Sequence, residues 1–329
     1  MKKLLFGAFA LSMLASCNSG DDAIGTEKTN ISANASNDAV QRNCPSEEIR
    51  QAALKSDPEL MAKFVENEQS TDEYLKDLST GRVLTDGTVE IPVVVNVLYR
   101  TTADNISDTQ INSQITTLNE DFGGTNSDVY KIPSEFKTVA AGNTRIKFRL
   151  YKINRKYSSV STWSANDSMK KATTGGMDAY QPANYFNMWV VGDMGGILGY
   201  ATFPESAGRW NDGVVIAAKY FGRTSNTPYN LGRTGTHEVG HYLNLRHIWG
   251  DGNCATDYVA DTPTQQANNY GKPTYPQYDI CGGVKRSVQF MNYMDYVDDA
   301  AMYMFSAGQK SRMQAVTASS GARSGLRLY

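Results

Sequence analysis

The chain has 329 residues, 40% of them apolar and 20% charged, with a formal net charge of -2. That apolar content is enough for one substantial domain with smaller attachments, and it excludes a chain disordered throughout. A charge so near zero removes the electrostatic ground for nucleic-acid binding.

The first elements are an address rather than a fold. Met1-Lys2-Lys3 supplies a positive start, and residues 4–14 form a short apolar run followed by small residues. Such a run is too short for a permanent span and has the layout of a cleaved signal. Its end, Leu14-Ala15-Ser16-Cys17, resembles the lipobox of bacterial lipoproteins. By that resemblance residues 1–16 are the signal peptide and Cys17 carries lipid, which implies an extracytoplasmic protein anchored at the outer membrane or cell surface. An ordinary secretory signal, with release after processing, is the alternative. Residues 17–40 are polar, rich in Asn, Ser, Ala and Thr, and read as a disordered tether.

Residues 41–87 are charged and helix-prone. Pro45-Ser46-Glu47-Glu48 has the form of a helix start, and Ile49, Ala52, Ala53 and Leu60 give a partial apolar stripe. A turn signal, Leu84-Thr85-Asp86-Gly87-Thr88, closes the segment. Residues 89–99 are an apolar, β-branched run predicting a buried strand, and residues 107–122 place Ile111, Ile115 and Leu118 at helical spacing. Further strands are expected at 146–151, 187–191 and 213–220, with an edge strand at 197–204 ending at Pro204. The order predicts an α/β (α+β) catalytic domain over 88–329, with a twisted mixed sheet and a backing helix. The sequence has no internal repeats.

All three histidines fall within eleven consecutive positions, in His237-Glu238-Val239-Gly240-His241-Tyr242-Leu243-Asn244-Leu245-Arg246-His247. On a helix, His237 and His241 lie one turn apart on one face, about 6 Å along the axis. His247 would be rotated by about 240° from His241 on an unbroken helix, so the chain must turn near Asn244. Asparagine is the best non-glycine residue for the left-handed conformation of such a turn. Three imidazoles on one ion, without a cysteine inside the motif to close a tetrahedron, point to a catalytic zinc site with an open position. Glu238 directly follows the first ligand, where a general base must stand to reach the zinc-activated water.

A second cluster, Asn292-Tyr293-Met294-Asp295-Tyr296, lies downstream. A histidine helix of this spacing followed by a methionine-containing turn resembles the metzincin clan of zinc proteases. The strings Gly199-Tyr200-Ala201-Thr202-Phe203-Pro204, 237–247, 257–263, 292–296 and 305–313 together resemble its pappalysin family, including ulilysin-like bacterial proteases. The resemblance implies that His237, His241 and His247 hold zinc and that Glu238 is general base and acid. It further implies that Met294 is the Met-turn residue under the metal and that Tyr296 steadies the oxyanion. A small helical pro-segment would precede the catalytic domain. Asn244 stands where the clan usually has glycine.

Cys254 and Cys281 flank a loop-rich stretch, and an extracytoplasmic location makes their pairing reasonable, with two free thiols as the alternative. Relatives usually carry a further pair nearby, at places that Lys272 and Ala301 occupy here. Cys44, in Arg42-Asn43-Cys44, resembles the cysteine switch by which metzincin pro-segments silence their zinc; a free thiol or an intermolecular disulfide is the other reading. Release would follow cleavage between residues 82 and 87. Asp257, Asp261 and Thr262 offer oxygen ligands where family members bind calcium, although surface acidic residues look the same. By the same family resemblance, Asp298 and Asp299 lie near the expected specificity pocket and would favour basic side chains in a substrate. The sequence therefore predicts a secreted, lipid-anchored zinc endopeptidase, made latent and acting on protein or peptide substrates. A surface-binding protein that kept the fold and lost catalysis is the competing reading, against which Glu238 and Tyr296 both stand.

Overall fold

Two helices lead into the sheet. α1 (Ser46–Ser56) carries Glu47 and Glu48 in its first turn, where the helix dipole favours anions. α2 (Pro58–Ser79) starts on Asp57, whose carboxylate accepts the N–H groups of Glu59 and Leu60, with Pro58 at the first helical position. The computed structural model describes residues 41–80 and 87–326. The signal peptide, Cys17, the tether and nearly all of the stretch 82–87 lie outside the described residues.

Strand β1 (Val89–Tyr99) has the expected bounds, with eight consecutive buried residues. It is followed by α3 (Asp108–Gly123), capped by the Ser107 hydroxyl, and by β2 (Ile146–Tyr157), which runs well past the expected 146–151. β3 (Phe186–Val191), β4 (Gly199–Ala201) and β5 (Val214–Ala217) complete a five-stranded sheet in the order β2-β1-β3-β5-β4. All neighbours are parallel except β4, which pairs antiparallel with β5 at the sheet edge. The edge strand is shorter than the sequence suggests because residues 204–206 turn into a single 3-10 turn at Pro204. The strand expected over 213–220 likewise ends at Ala217 and continues as a 3-10 turn. Pro92 inside β1 lacks an N–H for the ladder, and the pairing with β2 shifts register between Val93 and Val94.

Ile111, Ile115, Leu118 and Phe122 of α3 are buried in a core shared with Val93, Val95, Val97, Met188 and Val190 of the sheet. α4 (Arg233–Tyr242) carries the first two histidines, and every one of its residues is buried. A hairpin of β6 (Tyr278–Cys281) and β7 (Val284–Ser287) follows. α5 (Ala307–Thr317) opens with a capping box in which the Ser306 hydroxyl accepts the Gln309 N–H and the Gln309 side chain accepts the Ser306 N–H. No helix among the described residues is long and apolar enough to cross a membrane.

The end of α4 is fixed by a cation from the C-terminal segment. Arg323 Nε donates to the Tyr242 carbonyl at 2.7 Å, and its guanidinium pairs with Asp212 at 2.6 and 2.9 Å. A third contact reaches the Phe203 carbonyl at 3.2 Å. A cation at a helix C-terminus also complements the dipole. Arg323 thereby ties the metal helix to the segment following β4. Replacing Arg323 with leucine strands a buried Asp212 carboxylate, and unfolding by urea should show a loss of about 3–5 kcal/mol.

Candidate active site

The three histidines converge as the spacing requires. α4 ends at Tyr242, and Asn244 adopts the left-handed conformation with φ 74°. The Leu245 N–H then returns to the Gly240 carbonyl at 2.9 Å, and the redirected chain brings His247 back over the helix. Each ring is held by its Nδ1. His237 Nδ1 meets the Tyr293 carbonyl at 2.7 Å, His241 Nδ1 the Leu245 carbonyl at 2.8 Å, and His247 Nδ1 the Asp251 carboxylate. With Nδ1 as the donor in each ring, all three Nε2 lone pairs are left facing inward. His241 Nε2 and His247 Nε2 stand 3.1 Å apart, and His237 Nε2 is buried without a hydrogen-bond partner. Burial, with the neighbouring imidazoles adding to it, pushes His237 and His241 well below the ordinary imidazole range. Neutral rings are the form that binds a metal, so the donor set fits a zinc ion.

Met294 is fully buried against α4 at Gly240. A methyl group added at Gly240, between the two helical ligands, would overlap its sulfur. The Met294 carbonyl also accepts the Ile248 N–H at 3.2 Å, tying the Met-containing turn to the segment that carries His247. Trp249 stacks on His247 with ring centroids 4.4 Å apart and planes within 7°.

Glu238 points into the same space, 1% exposed. Burial raises its pKa to about 7, against the lowering influence of the Cys44 thiol and of His247. Cys44 comes from the segment ahead of α1: its Sγ lies 3.3 Å from Glu238 Oε2 and 3.0 Å from Ser46 Oγ. Cys44 Sγ and the ligand atoms of the three histidines all fall within 4.8 Å of one another. Burial, and then the charge of Glu238, raise the Cys44 thiol well above its usual range. The Tyr296 hydroxyl is engaged by the same segment, donating to the Cys44 carbonyl at 3.0 Å with the Cys44 N–H 3.3 Å away.

Comparison with known proteins agrees with this geometry. The family model described as pregnancy-associated plasma protein-A (Peptidase_M43) matches residues 171–318. An extracellular metalloprotease of Neurospora crassa is 32% identical over 246 residues, covering 71% of this chain and 76% of that protein. One from Verticillium alfalfae is 33% identical, with 72% and 78% covered. Among solved structures, mature mirolysin of Tannerella forsythia in complex with a cleaved peptide is 44% identical, with a TM-score of 0.71, over 74% of this chain and 97% of that one. A promirolysin mutant from the same organism is 40% identical, with a TM-score of 0.79, over 88% and 98%.

The chain belongs to the pappalysin family of metzincins.

It is therefore a metalloendopeptidase with an N-terminal pro-segment, and its relatives place it outside the cytoplasm. The mixed, mostly parallel sheet with the histidine helix beneath it is the fold this family shares. Among the residues expected from sequence, His237, His241, His247, Glu238, Met294, Tyr296 and Cys44 come together in one site. Cys254 and Cys281 form a disulfide that ties the loop after the metal helix to β6. Asp257, Asp261 and Thr262 are engaged in hydrogen bonds with neighbouring groups of the protein. Asp257 accepts the Thr262 hydroxyl at 2.8 Å and the Val259 N–H at 3.1 Å. The Asp261 carboxylate instead holds the start of α5, through the Ser306 hydroxyl at 2.6 Å and the Gly308 N–H at 2.8 Å.

Several residues of the site were not singled out from sequence. Asp251 orients His247, and its position four residues later was the available signal. For Asp299, which the sequence did single out, the missed feature is its partner: it takes the Arg42 guanidinium at 2.6 Å, with both groups buried. Glu68 of α2 grips Arg312 at 2.6 and 2.7 Å, and Arg312 Nε in turn donates to the Asn244 carbonyl at 2.8 Å. No local pattern announces that contact, because its partners are 244 residues apart. Asp251→Ala should weaken zinc retention by about 10–100-fold, measured by competition with a fluorescent chelator. Unchanged retention would remove Asp251 from the support of the metal.

Proposed function

We propose that the protein is a latent zinc endopeptidase in which His237, His241 and His247 hold the metal, Glu238 is general base and acid, and Cys44 keeps the site silent. The observation carrying this reading is the meeting of Cys44 Sγ with three inward-facing histidines and Glu238 in a single buried space. Zinc, when bound there, supplies Lewis acidity to a water molecule and to a carbonyl group.

The remaining chemistry belongs to the chain. Glu238, raised to about 7 by burial, is poised to take a proton near neutral pH and to return it to a leaving amine. Tyr296 would donate its hydroxyl to the carbonyl oxygen as negative charge develops. In the latent form that hydroxyl is spent on the Cys44 backbone, so one segment occupies both groups. The free edge of β4 suits an extended peptide added as a further strand, and its Ala201 N–H is presently taken by the Ser46 hydroxyl at 2.9 Å. Arg42, stacked 4.9 Å over Tyr229 and paired with Asp299, occupies a place suited to a basic substrate side chain.

The comparisons support a removable segment. Coverage differs by 14% of this chain between promirolysin and mature mirolysin, which is about 46 residues. That is the length of 41–86. Lipidation at Cys17, with anchoring at the outer membrane or cell surface, extends the proposal and rests on the leader sequence.

Cys44→Ala in the full-length chain should raise casein hydrolysis at least tenfold before any processing. Latency unchanged in that variant would refute the switch. Glu238→Ala should bind zinc normally while losing at least about 100-fold in turnover. Proteolysis at the wild-type rate would remove it from the mechanism.

A further inference from the structure

The pro-segment makes a second buried ion pair that lies apart from the metal. Arg50 of α1 places Nε 2.6 Å from Glu205 Oε1, with side chains only 2% exposed on both partners. Its guanidinium also lies 4.2 Å over the ring of Phe203. Phe203 in turn packs against the metal-site ring of His241 at 5.2 Å. These two contacts put the guanidinium less than 10 Å from that ring, along the direction in which β4 continues. Beside the pair is a cavity of about 220 Å³ with walls of two origins. One wall, including Ile49, Ala53 and Leu60, belongs to the pro-segment; the other, including Tyr200 and Trp210, belongs to the catalytic unit.

Arg50 is the hydrogen-bonded partner of Glu205 and leaves with α1, while the nearby Arg323 cation stays but is already paired with Asp212. When the segment leaves, a carboxylate next to an aromatic face is opened beside the free edge of β4. A carboxylate set against an aromatic face at the bottom of the opened cavity favours a new cation. A planar guanidinium suits it best, since it can pair with the carboxylate and lie on Phe203 together. A peptide added antiparallel to β4 runs its upstream residues toward Glu205, and an extended chain covers about 3.3 Å per residue.

We propose that Glu205 and Phe203 form an acidic subsite for an arginine or lysine side chain two to four residues before the scissile bond. Arg50 occupies this subsite in the latent protein. The inference rests on the endopeptidase reading above. It adds a basic preference upstream of the cut, distinct from the pair made by Asp299. A rival for the vacated carboxylate exists within the chain: Arg209 pairs with Asp57 of the pro-segment at 3.0 Å and loses that partner at the same moment.

The test uses the enzyme freed of its pro-segment and quenched-fluorescence peptides with one fixed residue after the cut. Arginine is compared with citrulline, its uncharged isostere, at the second, third and fourth positions upstream. At one of them arginine should raise kcat/KM about tenfold over citrulline, and lysine should raise it less. In Glu205→Gln that ratio should fall below about two. If the variant does not fold, the wild type decides, because glutamate at the same position should then be cleaved more slowly than citrulline. A ratio near one at all three positions, as expected if Arg209 takes the carboxylate, overturns the subsite. So does a wild-type preference that persists in Glu205→Gln. Cleavage of the citrulline peptides keeps the endopeptidase reading intact in either case, whereas failure to cleave any peptide removes both.

Discussion

Everything in this protein is arranged around the need to aim three imidazole Nε2 atoms at one point from a single stretch of chain. Two of them come free with helical spacing, but the third does not, because His247 would face away if α4 continued. The left-handed residue Asn244 ends the helix and the Leu245 N–H secures the return. What remains is rotation of the rings about their own bonds, and each is fixed by an Nδ1 hydrogen bond to a carbonyl or carboxylate. Those acceptors lie in the turn containing Tyr293, in the returning chain at Leu245 and in the following loop at Asp251. The donor set is thus preorganised by elements that must themselves be held in place. The Met294 contact with Gly240, the Arg323 cation at the helix end and the Cys254–Cys281 disulfide carry that load.

The pro-segment exploits the same geometry. It does more than insert a thiol: Cys44 takes its place among the metal ligands' neighbours, its backbone engages Tyr296, and Ser46 occupies the edge N–H of Ala201. Arg42 and Arg50 satisfy two buried carboxylates on either side, and Glu68 clamps Arg312 behind the Asn244 turn. These contacts lie at separate points of the cleft. A segment held by many pairs that are individually modest, and buried together, can be both firmly seated and removable once its connection is cut. Each pair also marks a group that is left without its partner in the processed enzyme.

Asn244 illustrates how a departure from a family pattern is accommodated. Glycine is the usual residue at that turn because it adopts positive φ without steric cost. Asparagine tolerates the same conformation, and here its side-chain amide gains a partner, reaching Glu68 at 3.3 Å. The residue thus joins the metal-site turn to the pro-segment, a link that glycine would not make.

The sequence by itself determined the parts governed by short-range periodicity. The span of β1 followed from its apolar run, α3 from its spacing, and the convergence of His237, His241 and His247 from a histidine pattern interrupted by a turn at Asn244. The family likeness added Met294, Tyr296 and Cys44, whose local surroundings say little. The tertiary structure alone decided the long-range charge pairs. Arg42 with Asp299, Arg50 with Glu205 and Glu68 with Arg312 join residues 155 to 257 positions apart. It also decided that Asp261 holds the first turn of α5. Backbone periodicity is fixed by neighbours three or four residues away, so it is legible in one dimension. Which carboxylate meets which guanidinium depends on how distant segments pack, and no local pattern encodes that.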